Sequence, residues 1–258
     1  MKKNTKKIVT AAGIAAGTAA VASLYAYVTI KALIDTALDR EMPKVMEKAD
    51  KRISGEKSSD EFTNRMESAS ESLAVQPNET VEIIAHDGEK LVGHYFPCEK
   101  PERVIIAFHG WRSSWHRDFG MISDFWYKNN CSVLYVEQRG QNNSSGEYMG
   151  FGLTERFDCL DWLNWEIERC GSDIPVYLAG VSMGATTVLM AAGLQLPPNV
   201  HGIMADCGFT SANAIWEHIA KDNLHIRFGI RSAIADRMCR RKIQVGSKEH
   251  STVEALKH

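Results

Sequence analysis

The pattern of apolar and polar positions divides the chain into three parts: an apolar N-terminal run, a charged stretch of helical period, and a series of short apolar runs alternating with amphipathic segments. Ile8 to Ile30 contains no charged residue and is long enough to cross a hydrocarbon core as a helix. Lys31 onward is charged, with Leu33, Ile34, Ala37 and Leu38 on one helical face before Pro43. A second helical stretch follows Pro43 and ends in Ser54-Gly55-Glu56-Lys57-Ser58-Ser59, the composition of a flexible break. The expected division is therefore a basic N-terminus and membrane helix over 1–30, a helical stalk over 31–78, and a folded domain over 79–258.

Within the domain, Thr80 to His86 and Leu91 to Phe96 read as strands around an Asp87-Gly88 turn. Val104 to Phe108, Ser132 to Val136 and Val176 to Val181 are continuous apolar runs, the mark of strands buried on both faces. Helices are expected over Phe119 to Lys128, over Glu155 to Arg169 with Phe157, Leu160, Leu163 and Ile167 facing the core, and over Ala185 to Gly193. A further strand fits Gly202 to Ala205. Strands alternating with helices predict an α/β domain with a mostly parallel sheet, whose chemistry gathers at the strands' carboxyl ends.

Composition narrows the function. At 258 residues and 44% hydrophobic content, the chain can bury one large core. A net charge of −2 with no basic stripe beyond the first residues argues against nucleic acid as a partner. The six cysteines are dispersed and no histidine stands at metal-ligand spacing, so buried thiols are expected and neither a metal nor a cofactor. There is no G-x-G-x-x-G after a strand and no P-loop. Lys2, Lys3, Lys6 and Lys7 before the apolar run favour a single-pass anchor with a cytoplasmic N-terminus and the domain on the far side. A cleavable signal peptide ending near Ala20-Val21-Ala22 is the rival reading, and a buried Ala-rich helix the third.

His109-Gly110-Trp111, Glu137-Gln138-Arg139-Gly140, Ser182 and Asp206 all follow predicted strands, so one sheet edge would collect them. Gly180-Val181-Ser182-Met183-Gly184 is a G-x-S-x-G pattern between an apolar strand and a helix, the context in which a strained turn exposes a serine hydroxyl. With the H-G turn and the Arg139-Gly140 loop leading to Ser144-Ser145-Gly146, this order of motifs resembles the α/β-hydrolase superfamily. The likeness is greatest to membrane-anchored bacterial members of its serine-aminopeptidase-like and monoacylglycerol-lipase-like branch, and it covers Thr80 to the mid-220s.

The resemblance implies a serine hydrolase acting on a small acyl ester, less readily an amide. Ser182 would be the nucleophile, with the backbone N–H groups of Met183 and Trp111 as the oxyanion hole. Met183 opens a helix, where unpaired donors suit a developing oxyanion. His109 is expected to anchor its turn, and Arg139 to order its own loop. A serine also needs a histidine to take its proton and an acid to orient that histidine. In this superfamily both follow strands after the nucleophile. No convincing strand follows Ala205, and the tail from Lys221 to His258 is polar and basic. Ser251-Thr252-Val253-Glu254 announces a helix just before the sequence ends.

The expectation is an α/β hydrolase whose last two strands and helices are missing, with the strand at Gly202 to Ala205 an open edge prone to association. Asp206 is the best available acid, and His218, His225, His250 and His258 lie downstream in the required order, with His116 on the H-G-W loop. Trp111, Trp115, Phe119, Phe151 and Trp216 are either cleft or ordinary core. The competing function is a non-catalytic relic or ligand-binding module that keeps the pocket without the relay.

Overall fold

The computed structural model describes residues 2–43, 60–223, 225–229 and 231–257, with backbone alone for residues 2–16, 18 and 19. The helical stretch expected after Pro43, the break at 54–59 and His258 lie outside the described residues.

The apolar runs form one six-stranded sheet. Its strands are β1 (Glu79–Ile84), β2 (Lys90–Phe96), β3 (Arg103–Phe108), β4 (Cys131–Glu137), β5 (Val176–Val181) and β6 (Val200–Asp206), in the order β1-β2-β4-β3-β5-β6. The first two strands form a hairpin, Glu79 opposite Tyr95 and Ile84 opposite Lys90, and β2 runs antiparallel to β4. From β4 onward every pairing is parallel, with Val104 aligned to Ser132 on one side and to Val176 on the other. The connections after the adjacent strands β3 and β5 leave in opposite directions, to β4 and to β6, so a crevice opens at the carboxyl ends of β3 and β5.

The central strands alternate their side chains between two cores. Val104, Ile106 and Phe108 join Leu134, Leu163, Leu178 and Val188 on one face. Ile105 and Ala107 join Trp115, Phe119, Trp126 and Tyr135 on the other. Helix α3 (Trp115–Lys128) covers the second face, while α4 (Glu155–Cys170) and α5 (Met183–Ala191) cover the first.

The N-terminal helix α1 is continuous from Lys2 to Leu38, and the boundary expected after Ile30 falls inside it. Among the described residues, Ala20–Leu38 is the one stretch long and apolar enough to cross a membrane, with mean hydropathy 1.3 and 33% of that window buried in the protein. Val21, Leu24, Tyr25, Tyr27 and Val28 stand exposed, whereas Ile30, Ile34, Ala37 and Leu38 are buried.

Those four pack beyond the strand ends, in a third core with Met149, Phe151, Met183, Trp216, Phe228, Ala235, Met238 and Cys239. Much of that core comes from the tail: α6 (Ala212–His218), a π-helical turn (Ile219–Asn223) and α7 (Arg231–Ile243). Lys242 on α7 adds ion pairs to Asp39 and, at 3.2 Å, to Asp35.

A second part of the expected stalk also lies on the domain. Helix α2 (Glu61–Ala74) begins at Asp60, whose carboxylate accepts the Thr63 N–H at 2.7 Å. It packs on α3 at Gly120, where a Cβ would sit 2.7 Å from the Ala69 carbonyl carbon. The Ser251 cap announced by the sequence is present: its hydroxyl accepts the Glu254 N–H at 3.1 Å and opens α8 (Thr252–Ala255). Strand β6 pairs with β5 alone among the described residues, and Met204 is 41% exposed on it.

Candidate active site

Ser182 sits between β5 and α5 with φ 52° and ψ −109°, a conformation an L-residue adopts only under constraint. The constraint is close packing. A Cβ on Gly180 would lie 2.3 Å from the Gly184 carbonyl oxygen, and one on Gly184 would lie 1.8 Å from that of Phe108. Both flanking glycines are thus required for the strand-to-helix turn to close. The Ser182 N–H donates to the Asp206 carbonyl at 2.8 Å, fixing the turn to the end of β6.

The loop after β3 runs beside the serine: a Cβ on Gly110 would stand 3.5 Å from Ser182 Cβ. Asp118 holds this loop, accepting the Gly110 N–H and the Ser113 hydroxyl at 2.6 Å each. The N–H of Met183 opens α5 and so has no intrahelical partner. Among the described residues neither it nor the Trp111 N–H makes a hydrogen bond.

His109 is fully buried, and burial pushes its pKa below the ordinary value. Its Nδ1–H donates to the Gly110 carbonyl at 2.7 Å, while Nε2 accepts from the Gln138 N–H and the Asn142 amide at 3.3 Å each. Gln138 also donates to the His109 carbonyl and accepts the Thr187 hydroxyl at 2.9 Å, joining the β3 loop, the β4 loop and α5. With both ring nitrogens engaged, His109 braces the turn.

Arg139 is buried against Asp158 and reaches Asp87 at 2.7 Å. Burial opposes its charge, but the two carboxylates outweigh it and raise the guanidinium above its ordinary value. Gly140 has φ 68°, and a Cβ there would meet the Tyr148 carbonyl at 2.7 Å. His86, Asp158 and Asp161 bring ligand atoms within 4.8 Å of one another, yet Asp158 is already bound to Arg139 by two hydrogen bonds.

The structure thus gathers Gly110, Trp111, Gly180, Ser182, Met183, Gly184 and the end of β6, with His109 beneath. It does not bring a histidine to the serine: among the described residues none hydrogen-bonds Ser182 or the Asp206 carboxylate. His218 pairs with Asp222 at 2.7 Å in solvent, and His116 bonds Ser70 at 2.9 Å. His225 is exposed, and His250 lies beside Arg156 and Glu254. The five aromatic residues divide. Trp111, Phe151 and Trp216 belong to the core around Met183, whereas Trp115 and Phe119 pack on Tyr135 across the sheet.

Sequence reasoning missed Asp118, Gln141, Asn142 and Arg112, and it placed Gln138 at this edge without giving it a role. Gln138, Gln141, Asn142 and Arg112 act on backbone groups distant in sequence, Asp118 on its own loop, and none carries a local pattern.

No protein-family model matches the sequence, and no curated protein matches it. Solved structures do. An esterase of Pyrococcus furiosus aligns in one crystal form at 19% identity and TM-score 0.55, over 72% of this chain and 67% of its own. In another form it aligns at 20% identity and TM-score 0.52, over 64% and 61%. DcsB in complex with its substrate analogue aligns at 18% identity and TM-score 0.50, over 64% of this chain and 54% of its own. This chain therefore spans between 54% and 67% of the length of these structures. Together with the strand order and the turn at Ser182, the likeness establishes the α/β-hydrolase fold.

Proposed function

We propose that this chain is a serine hydrolase of esterase type, acting on a small acyl ester through an acyl-enzyme at Ser182. The observation that carries this reading is the strained turn at Ser182, wedged between two glycines that admit no side chain. Ser182 Oγ attacks the ester carbonyl, and the N–H groups of Met183 and Trp111 bind the resulting oxyanion. Collapse expels the alcohol, which leaves with the proton lost by the serine hydroxyl, and water then releases the acid and returns a proton to Ser182 Oγ. The esterase named among the solved structures agrees with this chemistry. Residues 1–30 serve as a single-pass anchor, with Lys2, Lys3, Lys6 and Lys7 cytoplasmic and the domain extracytoplasmic, consistent with the exposed apolar side chains from Val21 to Val28.

A second reading has its own observation, the lack of any histidine hydrogen-bonded to Ser182 among the described residues. The fold would then hold an acyl ligand without turning it over. Hydrolysis of p-nitrophenyl acetate by the full chain in detergent separates the two. Turnover that drops to background in Ser182→Ala supports the hydrolase. Binding without turnover, equal in both proteins, supports the ligand-binding module.

A further inference from the structure

The loop that carries Trp111 is tied to the end of α1. Trp111 Nε1 donates to the Ala37 carbonyl at 2.9 Å. The Arg112 guanidinium donates to the carbonyls of Arg40 at 2.9 Å, Thr36 at 3.2 Å and Asp39 at 2.5 Å. These belong to the last turn of the helix and the residues just beyond it, where carbonyls lack intrahelical partners and the dipole is negative, so a cation is the matching group. Arg112 is itself held, with φ 50° and its N–H donating to Gln141 Oε1 at 2.5 Å.

From the far side the helix end is fixed by the Met149 N–H on the Leu38 carbonyl at 2.7 Å. The Arg40 guanidinium adds bonds to the Ser144 and Asn142 carbonyls, 2.6 Å each. Ile34 and Leu38 are fully buried in the core that holds Met183. Ala37 lies nine residues beyond the exposed Val28, a rise of about 14 Å along a helix. The apolar helix and the oxyanion loop thus meet within a few turns.

We propose that Arg112 is a positioning residue that locks the loop bearing the Trp111 N–H to the docked end of α1, making that helix a working part of the site. This rests on the oxyanion role given above to Trp111. Docking and loop order are then linked equilibria: whatever lifts residues 34–40 off the domain loosens residues 109–113, and the reverse.

The test is amide hydrogen exchange on the full chain in detergent, comparing the wild type with Arg112→Ala and Arg112→Lys. Expected in Arg112→Ala is exchange accelerated about tenfold or more, together, over residues 109–113 and 34–40. The β1–β2 hairpin and the α2–α3 pair should stay unchanged. Lys, a cation without the planar fork, should fall between. Unchanged loop exchange, or loosening of the loop without the helix, overturns the proposal. If Arg112→Ala unfolds throughout, Arg112→Lys decides by the same criterion. The rate of Ser182 capture by a fluorophosphonate should fall in the same order, and an unfallen rate beside a loosened loop also overturns it. A folded wild type that is never captured removes the hydrolase reading instead, while the exchange pattern still decides whether loop and helix are coupled.

Discussion

Five non-glycine residues with positive φ follow the carboxyl ends of successive strands: Arg112 after β3, Asn142 and Phe151 after β4, Ser182 after β5 and Cys207 after β6. Each costs on the order of 1–3 kcal/mol and persists only where packing dictates it. Their clustering marks the same edge as the motifs do. At Ser182 the packing can be tested directly. Gly184→Ala would drive a Cβ into the Phe108 carbonyl, and overpacking of this kind costs roughly 3 kcal/mol or more. A urea titration should show that loss of stability, and an unchanged midpoint would mean the turn is not tightly wedged.

A second residue-scale prediction concerns pH. Burial raises the Glu137 carboxyl, but His94 at 2.8 Å and the backbone and side-chain N–H groups of Asn143 outweigh burial and lower it below the ordinary 4.5. A lowered folded pKa contributes stability above the unfolded value and loses it as the pH falls through the folded one. Wild type should therefore exceed Glu137→Gln in urea midpoint at pH 6, with the gap narrowing below pH 4.5. A gap independent of pH would assign the effect to packing alone.

Among the elements, the strands were the most legible. Runs such as Val104–Phe108 and Val176–Val181 are apolar throughout because both faces are covered, and the structure begins and ends β2 to β5 within one or two residues of the sequence reading. The turn at Ser182 was legible because glycine is the only residue its neighbours admit. The docking of α1 was not. Ala235, Met238 and Cys239, which receive it, are scattered through the charged Arg231–Ile243 segment, whose apolar face is too narrow to stand out. The contact between α2 and α3 was hidden for a related reason: Gly120 matters only through the backbone that crosses it.

The weight of the α1 contact is measurable. Ile34 is fully buried, and Ile34→Ala should weaken docking by about 2–5 kcal/mol. Faster tryptic cleavage after Arg40 should report the release; cleavage at the wild-type rate would show that the helix end is held by its hydrogen bonds alone.

For the whole molecule, the strand order places Ser182, the N–H groups of Met183 and Trp111 and the end of β6 on one rim, with the apolar helix docked beside them. If Ser182 is the nucleophile proposed above, it should react selectively, although among the described residues no histidine is hydrogen-bonded to it. The decisive measurement is treatment of the full chain in detergent with a fluorophosphonate, followed by mass-spectrometric location of the adduct. A single adduct on Ser182, absent from Ser182→Ala, is the expected result. Folded protein that carries no adduct, or one spread over other hydroxyls, would contradict the assignment of Ser182 as a nucleophile.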